Sequence, residues 1–373
     1  MICLDKPESI PYNQTKMNNF IFNLSFSGGI HMKKLIAILL ILGLLLALGA
    51  CSKSAPGSTS PGNVAPAATK APAAAVSDTS TVAVGAVILA RDDVNEDEIY
   101  AFVSTIFENA AAITEQHAKG GELDLKFASG VTSVPYHPGA ARYFQEKGIT
   151  VAAVKEGAGT GAKANLTFGT GGDTGTYYGF GSVLANYVSN ANDFTVTAVV
   201  SGGSKANIED MDANDVQLAF AQSDVMSYAF NGERLFETPI QGFSVVAALY
   251  MEQVQIVTTN GAIASVADLK GKNVSIGAVG SGVYFNAVDV LQAYGMTEKD
   301  IKPVYQSFGD SADSLKDGKI DAAFLVAGAP TTAITDLAAS GSVYLVSLDD
   351  AHINSLLAAS PFYSAYVIPA GTY

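Results

Sequence analysis

The chain has 373 residues with a formal net charge of −14, and 49% of its residues are hydrophobic against 15% charged. An acidic balance of this size excludes nucleic acid and anionic membrane surfaces as electrostatic partners, and the length suffices for two α/β domains with cores of their own. The two cysteines, Cys3 and Cys51, both lie near the N-terminus, so the folded part is expected to hold by core burial without a disulfide.

Residues 1–31 match no targeting pattern. They are expected to lie upstream of the true start, because Ser27-Gly28-Gly29-Ile30-His31 before Met32 is what a translated ribosome-binding site would encode. From Met32, "MKKLIAILLILGLLLALGAC" has two lysines, an apolar run and then small residues. That order predicts a secretion signal over 32–50, and the run is short for a transmembrane anchor left in place. Leu48-Gly49-Ala50-Cys51 resembles a bacterial lipobox, which implies cleavage before Cys51 and a lipid on its sulfur. Residues 51–80 are mostly Ala, Pro, Ser, Gly and Thr, the composition of a flexible tether. A tether behind a lipidated cysteine holds the folded part at the membrane surface, outside the cytoplasm, without crossing it.

Thr81 to Ala90 is an apolar run expected to be a strand, and "DEIYAFVSTIFENAAAI" has apolar residues at helical spacing, predicting a helix from about Asn95 to His117. His137 in "PYHPGA" is taken as a packing or solvated histidine. Further on, "LTFGTGGDTGTYYGFGSVLANYV" reads as strand, glycine-dense turn and helix, and "NVSIGAVGSGVYFNAVDVLQAYG" repeats the order about a hundred residues later. Each is followed by a strand, a short helix, another strand and a turn into a further helix. Such alternation predicts parallel βαβ units, and two such units predict two lobes, each a mostly parallel sheet flanked by helices. Lobe I is expected over 81–250, with a segment 151–163 acting as a linker inside it, and lobe II over 251–373. Ligands of open α/β sheets bind beyond the carboxyl ends of the strands, so both Gly-rich turns would face one crevice that opens and closes on a hinge.

The turn could serve a phosphate, an oxyanion or a small ligand's carboxylate. "GTGGDTGTYYG" lacks the Lys and Ser/Thr of a P-loop, and "FTVTAVVSGG" lacks the acid that holds a ribose in dinucleotide sites. Ser281 sits in no nucleophile elbow, and the histidines His117, His137 and His352 lie far in sequence from any motif serine. There is no Cys/His cluster for a metal. No enzyme activity and no cofactor are therefore expected. What remains is a small anion or zwitterion held by backbone N–H groups and hydroxyls. Thr174 supplies a hydroxyl beside Gly171 and Gly172. Of Tyr177 and Tyr178, one could wall the site, or both could be core. Gln222, Ser223 and Asp224 stand at a strand-to-helix turn, where Asp224 is either a helix cap or a partner for a ligand's ammonium group. Ser204 opens another helix, and Lys205 beside it could meet a carboxylate or stay exposed.

"GTGGDTGTYYG", "SGGSKAN", "QSD", "SVADLKGKNVSIGAVGSG" and "LKDGKIDAAFLVAGAP" together resemble the TAXI class of solute-binding proteins that serve TRAP transporters. The resemblance covers the chain from about residue 81 to its end. It implies a two-lobed periplasmic-binding-protein fold of the second type, monomeric, capturing small organic acids or acidic amino acids such as glutamate or 2-oxoglutarate and passing them to the membrane subunits of a sodium-driven permease. By motif, Gly171, Gly172, Thr174, Tyr177, Gln222, Ser223, Gly280, Ser281 and Gly282 are the implied ligand contacts, beside Ser204 and Asp224. Gly179 and Met251 stand where the family often has proline, and Val283 where it often has a hydroxyl. The order also differs: 81–150 is similar to the family's C-terminal end yet precedes its first strand, which implies a circular permutation and one covalent crossing between the lobes. A sensor lipoprotein for a membrane kinase and an ABC-type receptor are the alternative roles.

Overall fold

The computed structural model describes residues 77–373. The secretion signal over 32–50, Cys51 and nearly all of the tether lie outside the described residues.

Two long strands organise the molecule. β1 (Thr79–Arg91) is buried along almost its whole length. In the lobe I core, β2 (Leu166–Gly169), β3 (Val196–Val199) and β4 (Leu218–Gln222) pair in parallel. β5 (Phe243–Thr258) is the second long strand. Lobe II carries β6 (Asn273–Ser275), β7 (Lys302–Val304) and β8 (Ala322–Ala327), again parallel, with the short β9 (Tyr344–Leu345) and β10 (Ser364–Ile368) at its side. The strand order is β3-β2-β4-β1-β5-β8-β6-β7. Within each lobe the first short strand is central, flanked by the second and the third, so the sequence repeat is a structural repeat. The mixed sheets with flanking helices make the two-lobed periplasmic-binding-protein fold of the second type.

β1 and β5 pair antiparallel from Ala83↔Gln253 to Arg91↔Phe243, with two register shifts between. At one end, Thr79–Ala83 pairs with β10; at the other, Ala86–Ala90 pairs with β4. β5 likewise turns from β1 to β8, which it meets from Gln253 onward. Two strands therefore cross between the lobes, where the residue order led us to expect one. Val82 and Val84 pack in the lobe II core, while Ala86 to Ala90 belong to the lobe I core. Strands buried on both faces need apolar residues at consecutive positions, which "VAVGAVILA" supplies.

Behind β1, the expected helix over 95–117 is two: α1 (Glu96–Glu108) and α2 (Ala110–Gln116). They break at Asn109, whose side-chain Nδ2 donates to Thr105 O at 2.8 Å and whose backbone leaves the helical region. Short α3 (Leu125–Ala128) and α4 (Pro138–Glu146) follow. His137 is fully buried and caps α4 by accepting from Gly139 N, and burial pushes its imidazole down to about 4, so it is a neutral packing residue. Within the expected linker, Gly159 bonds Asp92 O and Glu96 N, and Asn95 Nδ2 donates to Gly161 O, pinning the segment to the start of α1.

Candidate functional site

The carboxyl ends of the parallel strands carry the helices that build the site. α5 (Thr176–Ala191) follows β2, α6 (Ser204–Asp212) follows β3 and α7 (Ser223–Asn231) follows β4. In lobe II, α8 (Val283–Ala293) follows β6 and α9 (Phe308–Lys316) follows β7. Asn207 of α6 fixes the first Gly-rich turn, because its buried Nδ2 reaches Thr170 O and Phe220 O at 2.7 Å each and Gly169 O at 3.3 Å.

A cavity of about 80 Å³ lies between the lobes. From lobe I it is lined by Gly171, Gly172, Tyr177, Ser204 and Gln222 among others; from lobe II by Ser281, Gly282, Gln306 and Phe308. Five helices open on it; those with N-caps Gly175, Gly203, Gln222 and Gly282 have no bond from the cap's side chain, whereas Ser307 Oγ caps α9 by accepting from Asp310 N. Ala206 N of α6 is taken by Gly280 O and main-chain N–H groups at the start of α7 by the Asp224 carboxyl, while the positive end of each helix dipole points at the crevice. Three side-chain oxygens of the lining, Gln222 Oε1, Ser281 Oγ and Gln306 Oε1, are buried without a partner. Unpaired buried acceptors cost free energy, so such a cluster marks a place completed by something else.

The lobes touch around this space. Ala206 N donates to Gly280 O at 2.9 Å, Thr176 Oγ1 to Gly328 O at 3.1 Å, and Ala333 N to Thr174 O at 3.3 Å. A Cβ on Gly282 would lie 1.9 Å from Gln222 Oε1 and 2.9 Å from Ser204 Oγ, so a side chain there must displace the Gln222 amide. The profile of one protein family matches residues 60–148 and 168–373. The chain belongs to the NMT1-like family.

Among solved structures, this NMT1-like chain is similar to the periplasmic aliphatic sulphonate binding protein SsuA from Escherichia coli at 17% identity and TM-score 0.34, covering 50% of this chain and 57% of that one. The alkanesulfonate-binding protein SsuA from Xanthomonas axonopodis pv. citri, bound to MOPS, aligns at 21% identity and TM-score 0.35 over 50% and 61% of the two chains. A putative L-cystine ABC transporter protein from Listeria monocytogenes aligns at 16% and TM-score 0.34 over 50% and 78%. The chain thus spans less than two thirds of the two sulfonate-binding proteins.

Seven of the eleven residues named from the sequence line the cavity of the NMT1-like chain: Gly171, Gly172, Tyr177, Ser204, Gln222, Ser281 and Gly282. Thr174 and Gly280 sit instead in the lobe contacts just described. Ser223 Oγ accepts from Gly85 N of β1 at 3.1 Å and lines a separate surface hollow with Phe127 and Phe362. Asp224 is fully buried and accepts from Asn286 Nδ2 of α8 at 2.9 Å, so it ties one lobe to the other and faces no ligand space; burial pushes its carboxyl up to about 6. Lys205 pairs with Glu209 on its own helix. Of the tyrosine pair, Tyr177 walls the site and stacks on Phe220 at 4.5 Å between ring centroids.

The sequence reading missed Glu252. It lines the cavity at 2% exposure, and its hydrogen bond comes from Tyr177 OH to Oε2 at 2.7 Å. Burial pushes the Glu252 carboxyl up to about 8, opposed by the Tyr177 bond, reinforced by the charge of Asp224 and opposed again by Lys119. Burial also pushes the hydroxyl of Tyr177 well above its usual range. Gln306 was missed as well. The signal for Glu252 was available: an acid inside "FSVVAALYMEQVQIVT", a strand otherwise buried and uncharged.

Proposed function

We propose that this chain is an extracytoplasmic solute receptor that closes its two lobes on a small organic acid or amino acid and hands it to a membrane permease. One observation carries the reading: four helix starts without side-chain caps and three unpartnered buried oxygens, drawn from both lobes, face one crevice. Main-chain donors at helix N-termini suit a carboxylate or related anion. The crossing strands β1 and β5 give the hinge about which the lobes open. The secretion signal and the lipid on Cys51 would hold this receptor at the membrane surface.

The motif resemblance favours a sodium-driven TRAP permease as the recipient. Membership of the NMT1-like family fits an ABC-type importer better. Uptake by cells carrying the receptor and its permease separates them: collapse of the sodium gradient stops the first, and vanadate stops the second. The circular permutation is part of the proposal, supported by the break in the family match between residues 148 and 168, which falls on the segment expected to join the former ends. Receptor function itself is tested by a thermal-shift screen of amino acids, 2-oxo acids, dicarboxylates and sulfonates. A solute held by the native state alone raises the melting temperature with the logarithm of its concentration. Absence of any stabilising solute would argue against the receptor.

A further inference from the structure

We propose that the solute is a zwitterionic amino acid with a small uncharged side chain, its ammonium group held by Glu252 and its one carboxylate by the helix starts opposite. The inference rests on the receptor reading and narrows it.

The charge inventory of the crevice is the first ground. Among its described lining residues Glu252 is the sole titratable carboxyl, and no Lys, Arg or His stands with it. A dicarboxylate would bring two negative charges to a space holding one acid and no basic side chain. The helix starts carry about half a positive charge each at best, enough to favour one carboxylate but poor compensation for two beside Glu252. An ammonium group reverses the balance. It ionises Glu252 with release of the carboxyl proton and replaces lost hydration with a charge-assisted hydrogen bond, so the filled site carries one net negative charge where a dicarboxylate would leave two.

Position is the second ground. Glu252 pairs with Val84 where β5 passes from the lobe I core to the lobe II core. A ligand bonded there therefore bridges the hinge strands and the helix starts of both jaws. Asp224, the acid that the sequence offered for an ammonium group, is occupied by Asn286 and lines no part of the cavity. The groups facing Glu252 are Tyr177 from α5, Tyr250 on its own strand, Lys119 from the turn after α2 and, at longer range, Asp224 from α7. Lys119 is engaged by Glu122.

Size is the third. A space of about 80 Å³ is small beside the roughly 300 to 1,000 Å³ of common ligand pockets. It favours amino acids such as glycine, alanine, serine and valine over glutamate. The remaining wall, with Ala278, Val283, Phe308, Val326 and Ala327, is apolar and suits a short uncharged side chain.

The test is isothermal titration calorimetry of the full soluble chain with glycine, L-alanine, L-serine, L-valine, L-glutamate, pyruvate, 2-oxoisovalerate, 2-oxoglutarate and succinate. Pyruvate and 2-oxoisovalerate match alanine and valine without the ammonium group. We expect at least one small amino acid to bind about a hundredfold or more tighter than its 2-oxo partner, since a buried site built for one polar group rejects the analogue lacking it. In Glu252→Gln that ratio should fall about tenfold or more while any 2-oxo acid binding is kept. The variant's thermal melt verifies that it is folded, and in the wild type amino-acid binding near neutral pH should release a proton, read from buffers of different ionisation enthalpy. A 2-oxo acid or dicarboxylate binding as tightly as every amino acid, or an unchanged ratio in Glu252→Gln, would overturn the inference and leave the receptor standing. Binding of glutamate in preference to the small amino acids would overturn the size argument. Failure of every probe would overturn the inference, and the receptor reading falls with it only if the wider thermal-shift screen also finds no stabilising solute.

Discussion

Tyr177 donates its hydroxyl hydrogen to Glu252 Oε2 at 2.7 Å, which joins α5 of lobe I to a strand shared by both lobes. The pair is buried at the point where β5 leaves one core for the other. Glu252 also lines the crevice, so a ligand there lies beside this bond.

The buried carboxyl makes stability of the ligand-free protein pH-dependent. The folded Glu252 carboxyl is raised from 4.5 to about 8, so its contribution is fully present below the unfolded value and is lost as pH rises through that window. The melting temperature should fall between about pH 5 and pH 8, and Glu252→Gln should flatten the upper part of that fall. Asp224, raised from 3.8 to about 6, contributes in the same direction at lower pH and is left in place by the variant. A Glu252→Gln melting curve as steep as the wild type above about pH 6 would contradict the assignment.

Removing the phenol hydroxyl alone isolates the hydrogen bond. In Tyr177→Phe the ring still stacks on Phe220, but the bond that lowers the Glu252 carboxyl is gone. The midpoint of the pH-dependent loss should move upward, and the amount of proton released on ligand binding at neutral pH should rise. Carbon-13 NMR of the labelled glutamate carboxyl follows the midpoint directly; a downward move would refute the coupling.

Ser281 Oγ is buried in the crevice wall without a hydrogen-bond partner in the protein. Replacing it with alanine removes an unsatisfied group, so Ser281→Ala should leave the free protein as stable as the wild type or more stable by about 1 kcal/mol. Affinity should fall by about tenfold, in keeping with one lost hydrogen bond. Chemical denaturation and calorimetry on the same preparation read both. A loss of stability with unchanged affinity would place the hydroxyl in structure rather than in recognition.

Asn207 serves the opposite purpose, since it touches no ligand space and holds the carbonyls of Gly169, Thr170 and Phe220. Asn207→Ala strands these buried acceptors and should cost about 2 to 4 kcal/mol. It should also loosen the turn that aims the N–H groups of α5. Hydrogen exchange at residues 170–177 is the check, with protection there expected to fall further than in lobe II.

The parts legible in the sequence were those written in local pattern. The run around Val84 is apolar at every position because β1 is covered on both faces, and Gly171, Gly172 and Gly282 are read from glycine-dense turns, although of the three only Gly282 stands where a Cβ would clash. Glu252 stood out as an acid in an apolar strand, but the side it faces was hidden for the same reason that β1 was plain: in a strand buried on both sides the alternation that tells inward from outward is absent. Thr174, Asp224 and Gly280 were assigned to the ligand because they sit one residue or two from true lining positions. Which of two neighbours faces the crevice and which faces the other lobe depends on how the lobes meet, and that is set by contacts such as Asp224 to Asn286 across 62 positions of sequence. The break at Asn109 is a different case, a local side-chain to backbone bond that helical periodicity does not register.

The claim on which the account turns is that both jaws grip one solute at Gly282. The direct measurement is the melting temperature of wild-type and Gly282→Val protein across amino acids, 2-oxo acids, dicarboxylates and sulfonates, because a side chain there displaces Gln222 and intrudes on the space both residues line. We predict that at least one solute raises the wild-type melting temperature linearly with the logarithm of its concentration and leaves Gly282→Val unmoved. Equal shifts in both proteins, or none in either, would contradict the account.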